Sequence, residues 1–169
     1  MGKIILITGG QRCGKSEFAE KLALQLSEHP IYIATAYPGD EEFRQRIIRH
    51  QLRRGKQWTT IEEEIYLSHH NVVSRTALVD CVTLWATNVF FSKEEKVTES
   101  LSMLRDEFDK FTSQDATFIF VTNEIGLGGV SENAMTRHFT DLLGWFNQYI
   151  AAHADEVYML LSGIPVKIK

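Results

Sequence analysis

Eight residues near the amino end, Gly9-x-x-x-x-Gly14-Lys15-Ser16, constrain this chain more than anything else in it. They follow a continuous apolar run, Lys3-Ile4-Ile5-Leu6-Ile7-Thr8, of the kind that forms a strand buried on both faces. They open a stretch, 15–28, whose apolar positions Phe18, Ala19, Leu22, Leu24 and Leu26 suit a helix. Between a strand and a helix, glycines let backbone N–H groups curl around phosphate oxygens, and the helix N-terminus adds positive potential. The motif therefore predicts a purine-triphosphate site made by Gly9, Gly10, Gln11, Arg12, Cys13, Gly14, Lys15 and Ser16. In such a loop the lysine reaches the β- and γ-phosphates, and the Ser16 hydroxyl is a ligand for Mg²⁺.

The rest of the chain repeats the alternation of strand and helix. Ile31-Tyr32-Ile33-Ala34-Thr35 reads as a second strand after the break at Pro30, and Asp40 to Arg54 is charged and helical in spacing. Ala77 to Val82 is a third strand, 94–111 a long helix, Thr117 to Thr122 a fourth strand, Glu132 to His153 another helix and Val157 to Leu161 a fifth strand. Val166-Lys167-Ile168 is short enough for an antiparallel edge strand. No repeat or linker interrupts the chain, and 169 residues suit one domain, 1–169, that buries roughly 70% of its surface. The expectation is an α/β fold of the P-loop NTPase type, with a mostly parallel sheet covered by helices on both faces. Ligands bind beyond the carboxyl ends of strands in such sheets, so the loops after residues 8, 35, 82 and 122 should share one rim.

Bulk properties narrow the function. A net charge of −4 argues against a broad nucleic-acid footprint, although Arg44 to Lys56 is locally basic. Cys13 and Cys81 have no C-x-x-C spacing and read as reduced thiols of a cytoplasmic protein. The apolar run at Ile4 to Ile7 is too short for a signal core or a membrane anchor, and Met1-Gly2 lacks the Ser or Thr at position six of a myristoylation signal.

Two acids and one histidine complete the candidates. Asp80 lies near the C-terminal end of a buried strand, where a carboxylate can hold Mg²⁺, accept from guanine N1 and N2, or cap the following helix. Thr122-Asn123-Glu124 with Gly126, Gly128 and Gly129 reads as a site loop, in which Glu124 is a second acid for metal or for an acceptor hydroxyl. His50 stands among Arg46, Arg49, Arg53 and Arg54 on the charged segment; on those residues alone it is a solvated surface histidine. His29, His69, His70, His138 and His153 read as surface residues, and Met103, Leu104, Phe108, Leu142, Leu143, Phe146 and Ile150 as core. Trp85 and Trp145 read as core or subunit interface.

Taken together, the motifs resemble those of the bifunctional adenosylcobinamide kinase / adenosylcobinamide-phosphate guanylyltransferases, from Ile5 to Lys169. The resemblance rests on Thr8-Gly9-Gly10-x-Arg12-x-Gly14-Lys15-Ser16, Tyr32-Ile33-Ala34-Thr35, Arg46-Ile47-x-x-His50 with Arg54 and Trp58, Asp80-Cys81-x-Thr83 with Asn88, and Val121-Thr122-Asn123-Glu124-x-Gly126. Asn133, Arg137, Asn147, Ala154-Asp155-Glu156-Val157 and Ser162-Gly163-Ile164-Pro165-Val166-Lys167 extend it to the end. It implies that ATP or GTP phosphorylates adenosylcobinamide, and that GMP from GTP then passes through a covalent adduct on His50 to adenosylcobinamide phosphate. It further implies nucleotide contacts from Ala34, Thr35, Ala36, Gln51, Leu52, Arg53, Arg54, Glu62 and Asp80, catalytic roles for Lys15 and His50, and a trimer. Arg49 stands where some members carry a second histidine, and Gly55 where many carry proline. The same residues also admit a kinase of another small alcohol, or a nucleotide-dependent binding module, for which His50 would have no use.

Overall fold

The computed structural model describes residues 2–36, 44–45, 48, 52 and 54–169. Its frame is one seven-stranded sheet: β1 (Ile4–Gly9), β2 (Ile31–Ala34), β3 (Thr59–Glu62), β4 (Thr76–Asp80), β5 (Thr117–Val121), β6 (Glu156–Leu161) and β7 (Ile164–Lys167), in the order β3-β2-β4-β5-β1-β6-β7. All neighbours are parallel except β6 and β7, which pair antiparallel at the edge, as the sequence predicts. The helices are α1 (Lys15–Leu26), α2 (Val82–Ser92), α3 (Val97–Thr112) and α4 (Ala134–His153). Of the charged segment Asp40 to Arg54, Arg44, Gln45, Ile48, Leu52 and Arg54 are described; the first four are helical and Arg54 lies in a bend.

β1 lies between β5 and β6, which explains its unbroken apolar sequence: each of its residues is buried. Two cores sandwich the sheet. On one face α2, α3 and α4 pack Trp85, Phe108, Phe111 and Phe146 against Phe118 and Phe120 of β5. On the other face α1 places Ala19 and Ala23 over Ile5, Ile7, Leu78, Ile119 and Tyr32.

Two elements depart from the sequence expectation. β3 is an edge strand with exposed threonines, Thr59 and Thr60, so it lacks the apolar run that marks an inner strand. α2 occupies residues between the third predicted strand and the 94–111 helix, where the sequence reading placed no element. Its buried positions 82, 85, 86, 89 and 90 have helical spacing, with polar Thr83, Thr87 and Asn88 between them, but only Cys81 separates it from β4 and no glycine or proline marks its start, so the strand pattern runs straight into it. Trp85 is core, whereas Trp145 is 47% exposed and belongs to neither cluster.

The register sets the site. Glu62, Ala34, Asp80 and Val121 are successive cross-strand partners, and Val121 in turn pairs with Ile7 of β1. The loops after β1, β2, β4 and β5 therefore leave the sheet on one rim.

Candidate active site

Residues Gly10 to Gly14 join β1 to α1. Gly9 has φ 152°, and a Cβ there would lie 2.7 Å from both Leu160 O and Cys13 Sγ. Gly14 has φ 96° and serves as the N-cap of α1 without a side-chain cap. The first-turn amides of α1 are thus left for a ligand, which is the usual helix-terminus anion site. Arg12 adopts the left-handed region at φ 56° without being glycine, a cost that backbone strain at functional loops commonly carries. Lys15 is 8% exposed, and its Nζ turns back to donate to Gly10 O. The hairpin of β6 and β7 closes on this loop, with Gly163 N donating to Cys13 O at 2.9 Å.

The loop forms one wall of a cleft of about 350 Å³ lined by Gln11, Arg12, Cys13, Gly14, Lys15 and Ser16. Asp80, Cys81, Val121 and Asn123 line it from the neighbouring strand ends. Lys15, Ser16 and Asp80 are thereby brought to one space. Asp80 does not cap α2; Cys81 is the N-cap residue, and no side chain caps that helix. Asp80 Oδ2 accepts instead from the Tyr32 hydroxyl at 3.0 Å. Burial, and next the Asp80 charge, push the Tyr32 phenol well above its ordinary value, so the phenol remains a donor. Burial and Asp80 likewise push the Cys81 thiol up to about 12, which makes it a poor nucleophile at neutral pH.

A polar scaffold behind the cleft fixes the loops. Thr35, fully buried, receives Cys81 N at 2.9 Å on its hydroxyl and donates to Cys81 O at 2.8 Å. Asn88 Nδ2 donates to Thr35 O, and Asn123 Nδ2 to Thr83 Oγ1. Asn147, from α4, donates to Asn123 O and accepts from Thr122. Glu124 stands beside the cleft, where it accepts from Thr8 Oγ1 at 2.8 Å. These side chains position loops, a role that their polar character within apolar surroundings could have signalled.

A second hollow, about 410 Å³, opens on the same rim between β2 and β3. Ala34, Ala36 and Glu62 line it together with Glu63, Glu64, Ile65 and Tyr66. Glu63 serves the local fold: burial opposes its charge, but backbone N–H groups of Ile65 and Tyr66 and the His70 ring hold its pKa down. His70 is accordingly a half-buried partner of Glu63, whereas His29, His69, His138 and His153 are exposed. Among the residues implied by resemblance, Ala34, Ala36 and Glu62 meet in this hollow, Thr35 lies buried behind it, and Leu52 is 80% exposed. His50, Gln51 and Arg53 lie outside the described residues. Arg54 is described: its Cζ sits 3.4 Å from the centroid of the Tyr32 ring.

The comparisons decide the family. The model for cobinamide kinase / cobinamide phosphate guanyltransferase matches residues 5–168. The chain belongs to that family. It is 36% identical to the bifunctional adenosylcobalamin biosynthesis protein CobP of Pseudomonas aeruginosa, over 97% of this chain and 96% of that protein. It is 35% identical to the bifunctional adenosylcobalamin biosynthesis protein CobU of Escherichia coli K12 and 36% identical to that of Salmonella typhimurium. Each of these two alignments covers 98% of this chain and 99% of the relative. Among solved structures an ATPase domain superposes with a TM-score of 0.51 at 12% identity, covering 94% of this chain and 69% of that one. That likeness concerns the P-loop ATPase fold alone. No helix among the described residues is long and apolar enough to cross a membrane.

Proposed function

We propose that this protein phosphorylates the aminopropanol hydroxyl of adenosylcobinamide with ATP or GTP, and then transfers GMP from GTP to the resulting phosphate to give adenosylcobinamide-GDP. The observation that carries the first half is the shared cleft of Lys15, Ser16 and Asp80 at the uncapped N-terminus of α1. Phosphoryl transfer needs little covalent help from a protein; it needs charge stabilisation on the moving group, which the loop amides and Lys15 supply. Ser16 and Asp80 offer a hydroxyl and a carboxylate, the hard oxygen donors that suit Mg²⁺, and the ion when bound neutralises charge on the β- and γ-phosphates.

The second half runs through His50. Its neutral imidazole attacks the α-phosphorus of GTP, the bond to the β-phosphate oxygen breaks, and pyrophosphate leaves. The phosphate of adenosylcobinamide phosphate then attacks the phosphoramidate, and His50 is regenerated. Arg53 and Arg54 offset charge on the departing pyrophosphate. Full-length agreement with bifunctional relatives supports this half, as does the hollow of Ala34, Ala36 and Glu62 next to the cleft. The protein works in the cytoplasm as a single-domain subunit of a homo-oligomer, a trimer by its family, without nucleic-acid partners. Incubation with adenosylcobinamide, GTP and Mg²⁺ tests the whole reading. Mass spectrometry is expected to show the phosphate first and the GDP ester after it; conversion of other small alcohols in place of adenosylcobinamide contradicts it.

A further inference from the structure

Between the phosphate cleft and Arg54 stands one side chain that the reaction scheme leaves unused. Tyr32 lies in the middle of β2, 5% exposed, and pairs with Leu78 of β4. Its hydroxyl donates to Oδ2 of the Asp80 carboxylate. One oxygen of Asp80 is thereby engaged, and the residue lines the cleft. The Tyr32 ring carries the Arg54 guanidinium on its face at 3.4 Å, and Trp58 meets it edge-on, with centroids 6.0 Å apart at 81°. Stacking fixes the plane of a guanidinium while leaving its N–H edge free. Nε and Nη1 of Arg54 are buried and have no hydrogen-bond partner among the described residues. An unpaired buried donor is costly, so the arrangement is one that an anion would complete.

We propose that Tyr32 is a positioning residue joining the two half-reactions: its hydroxyl aims the Asp80 carboxylate into the phosphate cleft, and its ring holds the Arg54 donor edge ready for a phosphate. The proposal rests on the bifunctional reading above. Its consequence is that the two functions of Tyr32 separate by substitution. Tyr32→Phe keeps the seat for Arg54 and releases Asp80, whereas Tyr32→Leu loses both.

Two double-mutant cycles test it, with Mg·GTP affinity (a fluorescent GTP analogue), phosphoryl transfer and covalent GMP formation all measured, and thermal unfolding as a check on folding. Tyr32→Phe is expected to cost about tenfold in whichever of the three depends most on Asp80, and less than about twofold when made in Asp80→Ala, because the hydroxyl then has nothing to aim. Tyr32→Leu is expected to cost roughly a further fivefold in GMP-adduct formation relative to Tyr32→Phe, and that extra loss disappears in Arg54→Ala. Equal losses from Tyr32→Phe with and without Asp80, or losses in all three readouts that track thermal stability, show a core tyrosine only and overturn the proposal. Absence of phosphoryl transfer and adduct in the unmodified protein contradicts the bifunctional reading instead, and leaves the binding cycle to judge Tyr32 by itself.

Discussion

The two faces of the sheet are built differently. The face under α2, α3 and α4 is a dry aromatic core, in which Trp85, Phe108, Phe111, Phe118, Phe120 and Phe146 are fully buried and pack edge to face. The face under α1 has a smaller cluster, and polar groups run through it: Tyr32 on Asp80, Arg54 on Tyr32, and buried Glu20, whose charge also reaches Tyr32. A thick apolar layer can hold the fold while the other face carries charges that apolar packing alone would not favour. Most of the apolar burial thus lies on one face and the charged groups of the site on the other, while Asn88 of α2 and Asn147 of α4 hold the site loops from the aromatic side.

That division can be broken from either side. The largest expected effect is on the dry face: Phe108→Ala removes a fully buried ring at the contact of α3, α4 and β5 and should cost about 3–5 kcal/mol of stability. Chemical denaturation measures the loss, and activity per folded molecule should stay within a factor of about two. Lys15→Ala is the converse. Phosphoryl transfer should fall roughly 10²–10³-fold while the unfolding midpoint hardly moves. A Lys15→Ala protein with intact turnover removes the phosphate loop from the mechanism.

Smaller effects sharpen the boundary between the sites. Asp80→Asn should lower the preference for GTP over ATP about tenfold if the carboxylate reads the base. If the defect is relieved by raising Mg²⁺, the carboxylate serves the metal. Far from the rim, Glu156 is held down to about 2, chiefly by Lys3, with Tyr158 and Lys167 also donating. A carboxyl held down in the fold stabilises it at neutral pH, and that contribution fades as pH falls from the ordinary carboxylate range toward 2. Glu156→Gln should therefore cost about 1 kcal/mol at neutral pH and progressively less in acid, with catalysis unaffected; melting curves across pH give the comparison.

The dry face was largely legible in the sequence. Phe108, Leu142, Phe146 and Ile150 have helical spacing, and β1, β4 and β5 are apolar runs, because burial writes periodicity into a chain. α2 was hard to separate from the strand before it, since only Cys81 lies between them and no glycine or proline marks the boundary, and β3 was not legible, since an exposed edge needs few apolar residues. The phosphate loop could be read directly because its glycines answer to backbone geometry. The Tyr32–Asp80–Arg54 link could not, because its members stand far apart in the chain and only the register of β2 against β4 brings the first two together.

The proposed guanylyl transfer runs through a covalent adduct on His50, and one measurement addresses it directly. The protein is incubated with α-labelled GTP and Mg²⁺, denatured, and followed by intact mass and peptide mapping. The account predicts a GMP adduct on His50 that is stable to base and labile to acid, as a phosphoramidate is, and that is absent from His50→Ala while phosphoryl transfer persists there. An adduct that survives in His50→Ala, or loss of both activities in a folded His50→Ala protein, contradicts it.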